Sequence, residues 1–125
     1  MLKTLVFVGI GSFLGGIFRF LLSRFIVFHF PHTFPLGTFL VNLTGCLAIG
    51  IFYGLFEKGH LLNAELRLFL IVGLCGGFTT FSAFINENFL LLREQYFFYF
   101  ALYTGLSIIL GLLATYAGYQ LIRQF

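Results

Sequence analysis

The sequence predicts an all-α integral membrane protein with four transmembrane helices per chain, and three observations predict it. The composition is 60% hydrophobic and 9% charged, with a mean hydropathy of +1.04, too few charges for a water-soluble fold to solvate itself. The apolar residues fall into four long runs separated by short polar clusters. The length, 125 residues, is what four spans with short loops consume, because a helix needs ~20 apolar residues to cross ~30 Å of hydrocarbon. A large catalytic domain outside the bilayer is thereby excluded. The seven Lys/Arg residues stand singly, so there is no electrostatic footprint for nucleic acid.

The first span is expected over about 4–28. No small-x-small cleavage site follows its apolar core, so it reads as a span and not as a removable leader. Pro31 and Pro35, flanking His32 and Thr33, mark a turn. The second span runs over about 36–56. Glu57, Lys58, His60, Asn63 and Glu65 make the next loop, with Asn63 placed to cap a third span over about 64–92. A turn at Arg93, Glu94 and Gln95 leads to the fourth span, about 96–122. Cys46 and Cys75 both lie in apolar runs without CxxC spacing and read as small buried residues. His29 and His32 have metal-ligand spacing but lack a third ligand, and all three histidines read as solvated loop residues.

Four spans place both termini on one side. Lys3, Lys58, Arg67 and Arg123 lie on that side, Arg24 and Arg93 on the other, and assigning Arg19 to the second side makes the tally four against three. So small a bias sets orientation weakly. Insertion both ways up, with an antiparallel dual-topology homodimer as its natural assembly, stands beside a single upright orientation. Gly11 with Gly15, Gly50 with Gly54, and Ala114 with Gly118 have the small-xxx-small spacing that lets helices approach closely in lipid.

Polar residues inside the spans carry the functional signal. The third span contains Gly73-Leu-Cys-Gly-Gly-Phe-Thr-Thr-Phe-Ser82, where adjacent glycines followed by hydroxyl residues support a helix poorly, so a break at mid-membrane is expected. Non-helical backbone is tolerated there only if it is buried in protein or lines a cavity, and freed carbonyls would suit a hard monovalent cation. Phe78, Phe81 and Phe84 then recur every third residue with Glu87 one step further on. This stripe has two readings: ordinary packing, or ring edges that present the positive side of their quadrupole to an anion. Thr38, Asn42 and Gly45 share a face of the second span, and Tyr103, Ser107, Gly111 and Thr115 recur every fourth residue of the last. Asn42 is the strongest of these, since its amide would be costly against lipid. Arg19 is either a structural anchor or a source of positive potential at an anion entrance. Glu87 is a proton carrier, an acceptor at a vestibule, or a partner of Arg93.

Three segments, Gly11-Ser-Phe-Leu-Gly-Gly-Ile-Phe-Arg19-Phe, Gly37-Thr-Phe-Leu-Val-Asn42-Leu-Thr-Gly45 and Gly73-Leu-Cys-Gly-Gly-Phe-Thr-Thr-Phe-Ser-Ala-Phe84, resemble the signature segments of the CrcB/Fluc fluoride channel family. The resemblance extends over all four spans. It implies a passive channel of the inner (plasma) membrane that exports fluoride, built as a dual-topology antiparallel homodimer in membrane lipid, with two pores and a structural sodium ion at its centre. By position, Asn42, Phe81, Phe84 and Ser107 would line the pore, with Thr38 and Glu87 further along it. Thr80 would add a donor, Tyr103 and Thr115 would extend the fourth-span row, and the backbone carbonyls of Gly76 and Thr79 would hold the sodium. Gly111 departs from the hydroxyl expected in that row.

Other classes fit less well. A small proton-coupled multidrug-type transporter would carry its key acid in the first span, which has none. A fluoride/proton exchanger would use Glu87 as its carrier. An intramembrane enzyme needs a nucleophile and base at depth, whereas every histidine lies in a loop; no organic cofactor is called for.

Overall fold

The computed structural model describes residues 1–59 and 63–125, and the reading of His60 as a loop residue falls outside them. The chain is all-helical. α1 spans Leu2–His29 and α2 Leu36–Glu57. The third span is composite: α3 (Ala64–Arg67), a wide-turned π-helical segment (Leu68–Cys75), α4 (Gly76–Phe78) and α5 (Phe81–Arg93). α6 spans Phe97–Arg123. Taken as Leu2–His29, Leu36–Glu57, Ala64–Arg93 and Phe97–Arg123, all four units are long and apolar enough to cross a membrane. The shortest, with 22 residues, reaches ~33 Å at ~1.5 Å per residue.

The ends of these units have local causes. Asn63 caps α3, its side-chain oxygen accepting from the backbone N–H of Glu65 at 2.8 Å and of Leu66 at 3.3 Å. Pro35 stands at the N-cap of α2, where a missing N–H costs nothing. In the same turn His32 Nδ1 accepts from Phe34 N–H at 2.9 Å and its ring meets Tyr99 edge-on. The α5–α6 turn closes through Gln95 at φ 64° and a 2.8 Å bond from Tyr96 N–H to Leu91 O.

Two helix pairs are held by backbone proximity. α1 lies against the first half of the third span: a Cβ on Gly73 would stand 2.9 Å from Gly11 Cα, and one on Gly77 would stand 2.7 Å from Ser12 O. α2 lies against α6, where a Cβ on Gly118 would stand 2.5 Å from Leu47 O. In lipid such closeness matters because dispersion, and not water exclusion, holds helices together. A small buried cluster of Phe34, Phe39, Leu91 and Tyr103, with Phe84 and Phe100 against it, fills the space between α2, α5 and α6. Val41, Ile26 and Cys75 are buried outside this cluster, and many other apolar side chains face outward, as in Phe13, Phe28 and Leu112. That surface suits hydrocarbon and would be untenable in water.

The contrast between glycines is testable. Gly118→Ala, which sets a methyl against α2 backbone, should lower stability in detergent by about 1–3 kcal/mol. Gly9→Ala, whose Cβ would have nothing within 4 Å, should be neutral in the same thermal-unfolding measurement.

Candidate functional site

The site is organised by two residues that leave the helix. Thr79 (φ −85°, ψ 148°) and Thr80 (φ −146°, ψ 124°) are both extended. The neighbouring glycines are helical, so Gly76 and Gly77 do not themselves interrupt the span. The interruption is held by side chains from other helices. Asn42 on α2 grips Thr80 in both directions: its Oδ1 accepts from Thr80 N–H at 2.9 Å and its Nδ2 donates to Thr80 O at 3.3 Å. Gly45, one turn on, leaves room for the Thr79 methyl. Arg19 on α1 donates from Nε to Gly77 O at 3.3 Å. Thr79 Oγ1 donates back to Cys75 O at 2.8 Å, and Thr80 Oγ1 caps α5 by accepting from Ala83 N–H at 3.4 Å.

These bonds redirect two carbonyls. In a continuous helix Gly76 O would accept from Thr80 N–H, and Thr79 O from Ala83 N–H. Those donors go instead to Asn42 and to the Thr80 hydroxyl. Gly76 is moreover on an exposed part of the chain.

Beside the interruption lies an open cavity of about 300 Å³ whose lining includes Asn42, Thr79, Thr80, Phe81, Phe84 and Ser107. Ser107 Oγ is buried and is the one side-chain polar atom of that kind among the described residues without a hydrogen-bond partner. The Phe81 ring is 74% exposed at the cavity mouth, 6.0 Å from the ring of Phe84, which in turn is 5.1 Å from the ring of Tyr103. Phe78 does not continue this row. It lies on α4, before the interruption, against Gly45, and the stripe expected from periodicity therefore begins at Phe81.

The aromatic row ends on a carboxylate. Glu87 accepts from Thr38 Oγ1 at 2.5 Å on one oxygen and from the buried Tyr103 hydroxyl at 3.3 Å on the other. Arg93 lies beside Glu94 instead, at 3.5 Å. Glu87 also lines a second cavity, about 220 Å³, with Thr33, Pro35, Glu94 and Tyr96 at the α5–α6 turn. Asn42, Ser107, Phe84, Tyr103 and Glu87 thus form a connected sequence from one cavity to the other. Its members are hydroxyl, amide and aromatic groups, with a carboxylate at one end and no fixed cation between.

Thr115 lies apart from that sequence. Its hydroxyl donates to Cys46 O at 2.9 Å, and it lines a separate apolar groove with Gly50, Tyr53 and Tyr119. Gly111 is buried with Cys46 Sγ close by, where a hydroxyl side chain would meet the sulfur. Cys46 and Cys75 are both free thiols. Among the described residues no three His, Cys, Asp or Glu side chains cluster as metal ligands. One polar pair escapes the sequence reading: Asn88, buried on α5, accepts from Thr104 Oγ1 at 3.1 Å. The argument that singles out Asn42, an amide inside an apolar span, applies equally to Asn88.

The family model described as "CrcB-like protein, Camphor Resistance (CrcB)" matches residues 6–119. Curated relatives named "Fluoride-specific ion channel FluC" are similar over nearly the whole chain. The one from Flavobacterium psychrophilum is 43% identical over 123 residues, covering 98% of this chain and 99% of its own length. That from Azobacteroides pseudotrichonymphae is 44% identical over 125 residues, with 100% of both chains covered. That from Chlorobium phaeobacteroides is 46% identical over 121 residues, covering 96% of this chain and 93% of its own.

Asn42 and Ser107 should separate cleanly in stability measurements. Asn42→Ala leaves the N–H and carbonyl of Thr80 without their partner and should cost about 1–3 kcal/mol. Ser107→Ala removes a hydroxyl that has no partner among the described residues and should leave the unfolding midpoint in detergent unchanged or slightly raised.

Proposed function

The chain belongs to the CrcB-like family, and from that premise we propose that it is a fluoride-selective ion channel, a multi-pass protein of the plasma membrane that lets fluoride leave the cell passively. The observation that carries this reading is the unpartnered Ser107 hydroxyl in a cavity that Asn42, Phe81 and Phe84 also line. Fluoride is small, hard and strongly hydrated, so a path for it must replace water with donors that release it again. Neutral hydroxyl and amide donors do this, whereas an Arg or Lys in the constriction would retain the ion. A phenyl edge adds a weak positive face without a charge. The negative-inside potential then drives the anion outward by ~2.3 kcal/mol per 100 mV. The chemistry is ion passage, and no bond is made or broken.

The route we assign runs from the Asn42–Ser107 cavity past Phe84 and Tyr103 to Glu87 and the cavity at the α5–α6 turn. Thr38 and Tyr103 act at its far end, where both hydroxyls are directed at the Glu87 carboxylate. Arg19 acts structurally, because its Nε is directed at the interruption, and Thr115 serves α2–α6 packing.

The assembly we propose is an antiparallel homodimer, with the Thr79–Thr80 interruption at mid-membrane. Two features support a second copy: the cavity is open on the side where Phe81 is 74% exposed, and Gly76 is exposed beside it. With Arg19 assigned to the span interior, the loop tally becomes Lys3, Lys58, Arg67 and Arg123 against Arg24 and Arg93, a modest bias that still permits insertion both ways. The carbonyls of Gly76 and Thr79, whose helical donors are engaged elsewhere, fit a sodium ion shared with the second copy. When bound, that ion would supply positive charge that fixes the two interruptions against each other.

Fluoride efflux from liposomes holding the purified protein should run on a membrane potential alone. A reversal potential that moves with pH at fixed fluoride would instead indicate fluoride/proton exchange through Glu87. In the same assay Ser107→Ala should cut flux several-fold with stability retained. Phe84→Ile should do likewise, since an aliphatic side chain has no positive edge. Near-normal flux through folded variants of both residues would return the row to simple packing.

Assembly and sodium can be tested together. With Cys46 and Cys75 replaced by Ala, Gly59→Cys should be labelled from both faces of the membrane, and long exchange of sodium for a large organic cation should weaken the dimer. Labelling from one face only would exclude dual topology, and an unaltered dimer and flux after exchange would exclude the ion.

A further inference from the structure

The C-terminal half of α1, along its edge beside α2, carries a polar feature that the fluoride route does not use. Arg19, Ser23 and Arg24 line an open cavity of about 420 Å³, walled by Phe20, Val27 and Phe28. The ion pairs among the described residues are Lys3 with Glu65 and Arg93 with Glu94, so neither arginine has a carboxylate partner there. Arg19 donates through Nε to Gly77 O, and its two terminal nitrogens have no hydrogen-bond partner among the described residues. The Arg24 guanidinium lies over the Phe20 ring, 5.9 Å from its centre, with no polar partner among the described residues. Ser23 supplies a third polar group, also without a partner among the described residues.

The surroundings of these cations are those of a lipid-facing surface. Phe20 is 57% and Phe28 80% exposed. Arg24 stands five residues before His29, the last residue of α1, which at ~1.5 Å per residue is ~7–8 Å from the helix end. A cation at that depth against hydrocarbon reaches toward the headgroup layer for an anion. The anion available there is a phosphodiester, and a guanidinium edge matches two of its oxygens. Two cations with no acid between them favour a lipid of net negative charge over a zwitterionic one, whose own cation would be repelled. We infer that this groove binds the phosphate of an anionic phospholipid, with an acyl chain lying along Phe20 and Phe28.

The test uses the full chain, purified in detergent, stripped of lipid and titrated with phosphatidylglycerol, phosphatidylcholine or inorganic phosphate, with bound lipid read by native mass spectrometry and stabilisation by thermal unfolding. Phosphatidylglycerol should be retained and raise the midpoint; phosphatidylcholine and inorganic phosphate should do neither. Arg24→Gln should weaken phosphatidylglycerol retention about fivefold, Arg24→Lys should keep most of it, and Arg93→Gln, at the same end of the molecule, should leave it unaltered. Arg24 makes no polar contact among the described residues, and its variants should elute as wild type and pass fluoride normally in phosphatidylcholine vesicles. Equal retention of the two lipids, or undiminished phosphatidylglycerol retention by Arg24→Gln, would overturn the proposal. Equivalent stabilisation by inorganic phosphate or by fluoride would replace the lipid site with a free-anion site.

Discussion

The exchange of two hydrogen bonds between Asn42 and the backbone of Thr80 is the interaction on which the rest of the molecule depends. A membrane-spanning chain has almost no freedom to leave the helix, because each backbone group released into hydrocarbon costs several kcal/mol. Asn is well suited to relieve that cost, since one side chain carries both an acceptor and a donor in peptide-like geometry. It stands in for the helical partner that the Thr80 N–H has given up, and it adds a donor to the carbonyl that heads α5. The rest follows from that replacement: Thr79 and Thr80 can stay extended, α5 can begin afresh with a Thr80 cap, and α5 points Phe84 and Glu87 toward Tyr103.

The glycines perform a different task. They bring α1 against the first half of the third span and α2 against α6, so that the two parts of the interrupted span rest on different neighbours. The first half packs on α1 through Gly11, Gly73 and Gly77. α5 is attached to α2 and α6 through polar side chains and the small aromatic cluster. Arg19 and Asn42 approach the same interruption from opposite partners, one through Gly77 and the other through Thr80.

Much of this was legible in the amino-acid order, and the illegible part has a common cause. The spans could be read because hydrophobicity and length suffice for them, and their ends because Pro35 and Asn63 act locally. The importance of Asn42 could be read from the cost of an amide in lipid. Its partner could not, because Thr80 is 38 residues away and only the packing of α2 on the third span unites them. Glu87 offered three readings and Arg19 two for the same reason; their partners Thr38 and Gly77 are 49 and 58 residues distant. Periodicity misplaced Phe78 because the rule assumes a continuous helix, and the helix stops at Thr79. The fourth-span row is spread along the helix, with Tyr103 and Thr115 ~18 Å apart, and the two hydroxyls meet different partners, Glu87 and Cys46 O.

The two attachments of α5 to α2 have a mechanical meaning. Thr38 and Asn42 stand one turn apart on α2, while the points they hold, Glu87 and Thr80, stand about two turns apart along the third span. α5 is therefore a short strut pinned to a single beam at its start and at its midpoint. With both pins in place its first half is held against α2, and Phe84, which lies between them, keeps its place beside the cavity. With the Thr38 pin released, α5 would pivot about Thr80 and carry Phe84 with it, so that a hydroxyl at the far end of the path governs the aim of a ring halfway along it.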